Sequence, residues 1–154
     1  ITSAGISWLP KSAIDSTNHL LSKYKILMSK VTAEHAGEPD KKGQFKIISR
    51  TEIIGPNDVC TDSYLIVGAS ESKLVVENEY KYIQTRFLRF LLMLSVSSIN
   101  LSSEKFQFIP LQDFTSNSDI NWSRSISEID TQLYAKYGLS EDEISFIESM
   151  IKPM

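Results

Sequence analysis

Cysteine and histidine are almost absent from this chain, and their scarcity removes several chemistries at once. Cys60 is the only cysteine among 154 residues, so no internal disulfide can form and a reducing, cytoplasmic setting is expected. His19 and His35 are the only histidines, and with one cysteine they offer no zinc spacing. A nucleophile built from Cys60 and a histidine has nothing to tie it together, and Cys60 reads as a small buried side chain. No glycine-rich phosphate loop or dinucleotide fingerprint is present, nor any repeat or low-complexity tract. No apolar run approaches the roughly 20 residues that span a bilayer. The longest, Phe87 to Leu94, is interrupted by Arg89, so no membrane partner is expected. A signal-peptide pattern is missing too. The chain begins at Ile1 without an initiator methionine, next to a strand-like phrase, Ile6-Ser7-Trp8-Leu9-Pro10, which suggests a piece excised from a larger protein.

What remains is ordinary globular composition, 42% apolar and 23% charged, in a length that suits one domain, residues 1–154. The charge is unevenly placed. Residues 1–50 hold eight Lys/Arg against four Asp/Glu, a balance of +4, and residues 51–154 hold eight against fifteen, a balance of −7. A basic front can meet phosphate while an acidic rear faces solvent or another protein; ordinary surface scatter explains the same numbers.

Asp15 or Ser16 can cap a helix that turns Leu20, Leu21 and Tyr24 inward. Lys25 to Val31 reads as a strand, and Thr32 to Gly43 as a polar loop with Lys41-Lys42 at its tip. A strand from Phe45 to Ile54, irregular near Arg50, meets a turn at Gly55-Pro56-Asn57 that returns the chain into a strand from Cys60 to Val67. Its Tyr64 to Val67 part reads as buried. From Ser72 to Leu94, Val76, Tyr80, Ile83, Phe87, Phe90, Leu91 and Leu94 recur at spacings of three and four, with no glycine or proline between. This predicts one long helix capped by Ser70 or Ser72. Phe106 to Pro110 reads as a short strand, with Phe87, Phe90, Phe106 and Phe108 in the core. Ser125 with Glu128 and Ser140 with Glu143 are capping boxes, Gly138 is placed for a left-handed C-terminus, and Pro153 stops the last helix. The expected fold is α+β: a curved, mostly antiparallel or mixed sheet packed against one long helix, with two short C-terminal helices over about 125–154.

The residues show no convincing active site. Glu52 and Asp62 flanking Lys46 could mimic the carboxylate and lysine of a metal-dependent nuclease, but caps and turns account for Asp58 and Asp62 as simply.

Four phrases, taken together and in order, resemble a known family. They are Gly55 to Gly68, Thr85-Arg86-Phe87-Leu88-Arg89-Phe90-Leu91, Phe108-Ile109-Pro110-Leu111-Gln112-Asp113-Phe114-Thr115, and the tail Tyr134 to Ile151. The opening, Trp8-Leu9-Pro10-Lys11-Ser12 and Lys23 to Lys30, is similar as well. The family is the C-terminal target recognition domain of adenine-specific DNA methyltransferases from bacterial type II restriction-modification systems, including those fused to a nuclease. The resemblance implies a domain that reads duplex DNA so that a catalytic neighbour receives a flipped adenine. It also implies that the cofactor fold and the Asn-Pro-Pro-Tyr motif lie in an N-terminal methyltransferase portion. S-adenosylmethionine would then serve the parent protein, for adenine N6 methylation, and no cofactor this fragment. The chain departs from the family at Ser95 to Asn100, where relatives often carry basic residues and a Gln-His pair. Residues 32–44 match nothing firmly, as a variable base-reading loop would.

Such a domain needs cations on phosphates and side chains in the major groove. The phosphate candidates are Lys11, Lys25, Lys30 and Arg50, each equally readable as a solvated surface residue. The base-reading candidates are His35, Lys41, Lys42, Asn57 and Asn100, since Arg or Lys suits guanine and Asn or Gln suits adenine. Arg86 and Arg89 share a helix face and could meet DNA backbone or the missing methylase portion, or cover core surface with their stems. The rival to DNA recognition is a module that docks the methylase to a nuclease or partner subunit through its acidic C-terminal helices; a small nuclease is a further rival.

Overall fold

The computed structural model describes residues 1–2, 5–14, 19–31, 39–95 and 101–154. Three strands form an antiparallel, curled and open sheet: β1 Tyr24–Ser29, β2 Thr51–Ile54 and β3 Tyr64–Ser70, in the order β2-β1-β3. With the four α-helices of the described residues beside it, the chain is α+β. The run Ile26-Leu27-Met28 explains the central place of β1. All three side chains are fully buried, and alternate residues of a strand point to opposite faces, so this strand needs cover on both. Ile26 and Met28 join the cluster under the helices, while Leu27 packs with Ile54 and Tyr64 on the other face.

The Gly55-Pro56-Asn57 turn forms, with Asn57 in the left-handed region at φ 66°. It does not make a hairpin, however. β3 pairs on the far side of β1, with a bulge between Ile26 and Leu27, and residues 55–63 carry the chain across the second face. That crossing is tied down by the Asn57 N–H donating to the Leu21 carbonyl (2.8 Å), the Ile1 ammonium to Val59 (2.6 Å) and the Thr61 N–H to Ile1 (3.0 Å). Cys60 is only partly buried there, beside Ile1. A local turn signal cannot tell a hairpin from a crossover, and here the doubly apolar β1 decides.

The single long helix is corrected to two. α1, Lys73–Gln84, is capped by Ser72 and lies across the sheet; α2, Arg86–Ser95, starts anew after Thr85, whose ψ of 149° leaves the helical region. The Thr85 hydroxyl donates to the Tyr82 carbonyl (2.6 Å) and accepts from the Leu88 N–H (3.2 Å). The buried Asp130 carboxylate accepts from the Arg86 and Phe87 N–H groups, each at 3.0 Å. These are the free donors of a helix start, satisfied from a distant element that no local pattern reveals.

α3, Ile126–Lys136, and α4, Glu141–Met150, begin with both expected capping boxes, and Gly138 takes the left-handed conformation between them (φ 66°). The C-terminus returns to the basic loop: Phe45 bridges Ile151 in parallel, with the Phe45 N–H on Met150 (2.7 Å) and the Lys152 N–H on Phe45 (3.1 Å). Other expectations differ. Ile6 to Pro10 forms no strand. Residues 19–22 turn rather than coil into a helix, and the proposed caps Asp15 and Ser16 lie outside the described residues. The strand expected from Phe45 is regular only over β2, and Ile66 on β3 is exposed. Phe106 to Pro110 holds the end of a 3-10 turn, Ser103–Phe106, instead of a strand, and Phe108 is 70% exposed rather than core.

Candidate nucleic-acid interface

The predicted cations fall into distinct environments, and two are built into the fold. Lys25 is 2% exposed, and its ammonium donates to the carbonyls of Leu20 (3.0 Å), Lys23 (2.6 Å) and Gly55 (3.1 Å). Burial holds its pKa below the ordinary lysine value, with Asp58 working the other way. Arg89 is also 2% exposed; it donates to the Thr85 carbonyl through Nε (3.1 Å) and to the Lys152 carbonyl (2.5 Å). Burial lowers its pKa to about 10, opposed by Asp130. Both side chains clamp backbone turns: Lys25 is therefore not a solvated surface residue, and Arg89 faces the core, the alternative to contact with DNA backbone or the methylase portion. Arg86 points to α4, where it pairs with Glu148 at 3.6 Å.

Lys30 and Arg50 come together at one end of the sheet. The Ser29 N–H donates to the Arg50 carbonyl (3.0 Å), and Lys30 follows Ser29 directly. Lys30 pairs with Asp62 at 2.5 Å, and Arg50 with Glu52 at 3.0 Å. The Arg50 guanidinium also lies 5.8 Å from the Tyr64 ring centroid and donates to its hydroxyl (3.2 Å). The Lys30 hydrogen bond holds the Asp62 carboxyl below the usual carboxylate range. Exposed pairs of this kind contribute about 0–1 kcal/mol, so a phosphate can compete for either cation.

Lys41 and Lys42 occupy the tip of a tight turn. Asp40 organises it, accepting from the Lys42 N–H (2.8 Å) and the Gln44 N–H (3.0 Å), and Gly43 supplies the positive φ of 82°. These backbone donors, Gln44 first, lower the Asp40 pKa, and Lys152 adds to them at 3.3 Å. Lys41, Lys42 and the exposed Lys46 have no ion-pair partner among the described residues. From Lys42 to Arg50 the chain spans at most about 28 Å when fully extended, less than the roughly 34 Å of one duplex turn. Both basic groups can therefore meet the same turn of DNA.

Asn57 lies at the opposite end of the sheet, beside Gly55 and Leu21, and the structure does not join it to the others. His35 and Asn100 lie outside the described residues, and Lys11 opens a single 3-10 turn, Lys11–Ala13. Lys46 and Lys152 are two further exposed cations near this turn that were not among the candidates. Neither Glu52 nor Asp62 is paired with Lys46: Arg50 and Lys30 take them. No group of three metal-ligating side chains occurs among the described residues.

One acid stands apart from this surface. Glu79 lines a cavity of about 130 Å³ with Tyr82, Phe106, Ile109 and Phe114, and burial raises its pKa to about 7. A Cβ on Gly68 would fall 2.3 Å from a Glu79 carboxylate oxygen, so that glycine leaves the acid its room. The signal was present, since position 79 lies three residues after Val76 and four before Ile83, on the apolar stripe. Comparison of the chain with protein-family models, with curated proteins and with solved structures finds no match.

Proposed function

We propose that this chain is a sequence-specific double-stranded DNA recognition domain, acting in the cytoplasm as the reading part of a restriction-modification adenine-N6 methyltransferase. The observation that carries the proposal is the stretch from Lys41 to Arg50, which presents exposed Lys41, Lys42, Lys46 and Arg50, with Lys30 alongside. Cations on a rigid turn and a sheet end are suited to fix register on phosphates. In this reading, base contacts come from the polar stretch 32–43 of the sequence. S-adenosylmethionine and the transfer chemistry belong, in this reading, to the methyltransferase portion of the parent, the domain's natural partner.

The test is the pair of substitutions Lys41→Ala and Lys42→Ala in one protein. Neither side chain supports the fold, so thermal unfolding stays unchanged. Two lost phosphate contacts reduce the slope of log affinity against log salt by about 2. An unchanged slope removes this turn from the interface and the proposal with it.

A further inference from the structure

A groove of about 430 Å³ runs between α2 and α4, lined by Phe87, Phe90, Leu91, Leu139, Phe146 and Ile147. Phe87 and Ile147 are buried and form its base; Phe146 is 54% exposed and meets Phe90 edge-on, ring centroids 5.9 Å apart. Its rim is acidic. Asp142 and Glu143 border it, and α4 carries Glu141 and Glu148 besides, with no lysine or arginine. Arg86 offsets only Glu148, with which it pairs, and Arg89 is turned inward, so Glu141, Asp142 and Glu143 leave this side acidic.

The same molecule carries a segment of complementary character. Ile6, Trp8 and Leu9 are 83%, 98% and 60% exposed, outside any strand or helix. Residues 1–14 contain no Asp or Glu, and Lys11 supplies the segment's positive charge. Pro10 restricts the backbone and so reduces the ordering cost of docking. The segment borders Val59 and Cys60, on the sheet face opposite the helices, so it sits away from the groove of its own chain. A tryptophan brings about 150–250 Å² of contact surface, and one such seat is small against the roughly 1,600 Å² of a standard interface. Two reciprocal seats double the tryptophan contribution to about 300–500 Å², the scale of a weak, transient association.

We propose that the occupant of the α2–α4 groove is residues 6–11 of a second copy of this chain, with Trp8 and Leu9 in the apolar cleft and the segment's net positive charge matched to the acidic rim, exchanged reciprocally in a weak dimer. This goes beyond the DNA reading and does not rest on it.

Sedimentation velocity over a wide concentration range tests it, read together with tryptophan fluorescence. Trp122 is already buried, so a change in emission on association reports Trp8. The expected result is a mass rising toward the dimer, with a matching blue shift. Trp8→Ala and, separately, Phe146→Glu each weaken association at least about tenfold; both sites are exposed, and circular dichroism checks that each variant folds. Mixing the two variants restores one seat and partial association. A chain that stays monomeric with solvent-exposed Trp8 emission overturns the proposal, as does association indifferent to both substitutions. A monomer whose groove instead takes up an unrelated basic amphipathic peptide overturns it too, in favour of a partner helix.

Discussion

Replacing Asp130 tests the joint that divides the long apolar stripe into two helices. The carboxylate is 2% exposed and accepts two backbone N–H bonds at 3.0 Å, from Arg86 and Phe87. Hydrogen bonds to a charged acceptor contribute about 1.5–3 kcal/mol each. Burial raises the Asp130 pKa, yet the two donors and then Arg89 act against that rise, so the alanine variant also leaves Arg89 without its nearby countercharge. Asp130→Ala is expected to cost about 4 kcal/mol, a large part of the roughly 5–15 kcal/mol that holds a domain together. Asp130→Asn keeps one acceptor oxygen and should cost about 2 kcal/mol. Urea unfolding followed by circular dichroism reads both as a lower midpoint at constant slope. A loss below about 1 kcal/mol for the alanine variant would show that α3 does not hold the start of α2, and the account of the break at Thr85 would fail.

Glu79 makes stability depend on pH. Its folded pKa, raised to about 7 from 4.5, means that the native state holds the proton more tightly than the unfolded chain. The associated stability is complete below about pH 4.5 and is lost as pH rises through about 7. Glu79→Gln should therefore match the parent near pH 4.5 and exceed it by about 1–3 kcal/mol at pH 8; equal stabilities at pH 8 would refute the burial of this acid. Lys25→Met removes three ammonium–carbonyl bonds and is expected to cost about 2–3 kcal/mol while leaving the salt dependence of DNA binding unchanged. A stable variant with weakened DNA binding would return Lys25 to the interface.

Features fixed by neighbouring residues were legible in the sequence. The capping boxes at Ser125 and Ser140, the left-handed Gly138 and the turn at Asn57 each depend on a few adjacent positions. The strand order was not, because it rests on β1 being covered from both sides by segments distant in the chain. The helix break at Thr85 was hidden for the same reason: Asp130, 45 positions later, supplies the cap. Among the candidate residues, a lysine at the sheet end and a lysine clamped on carbonyls look alike in one dimension. Lys30 and Lys25 sit on the same strand phrase and meet opposite environments. Phe108 misled through type alone, since an aromatic near a proline turn can face outward when its neighbours Ile109 and Phe114 already close the core.

The most direct measurement of the central claim is the affinity of the chain for duplexes selected from a randomised pool, titrated with salt. Five cations on phosphates, Lys30, Lys41, Lys42, Lys46 and Arg50, predict a slope of about −4.5 in log affinity against log salt, together with enrichment of one sequence. A slope near zero, or a pool that remains random after selection, would contradict the reading of this chain as a DNA recognition domain.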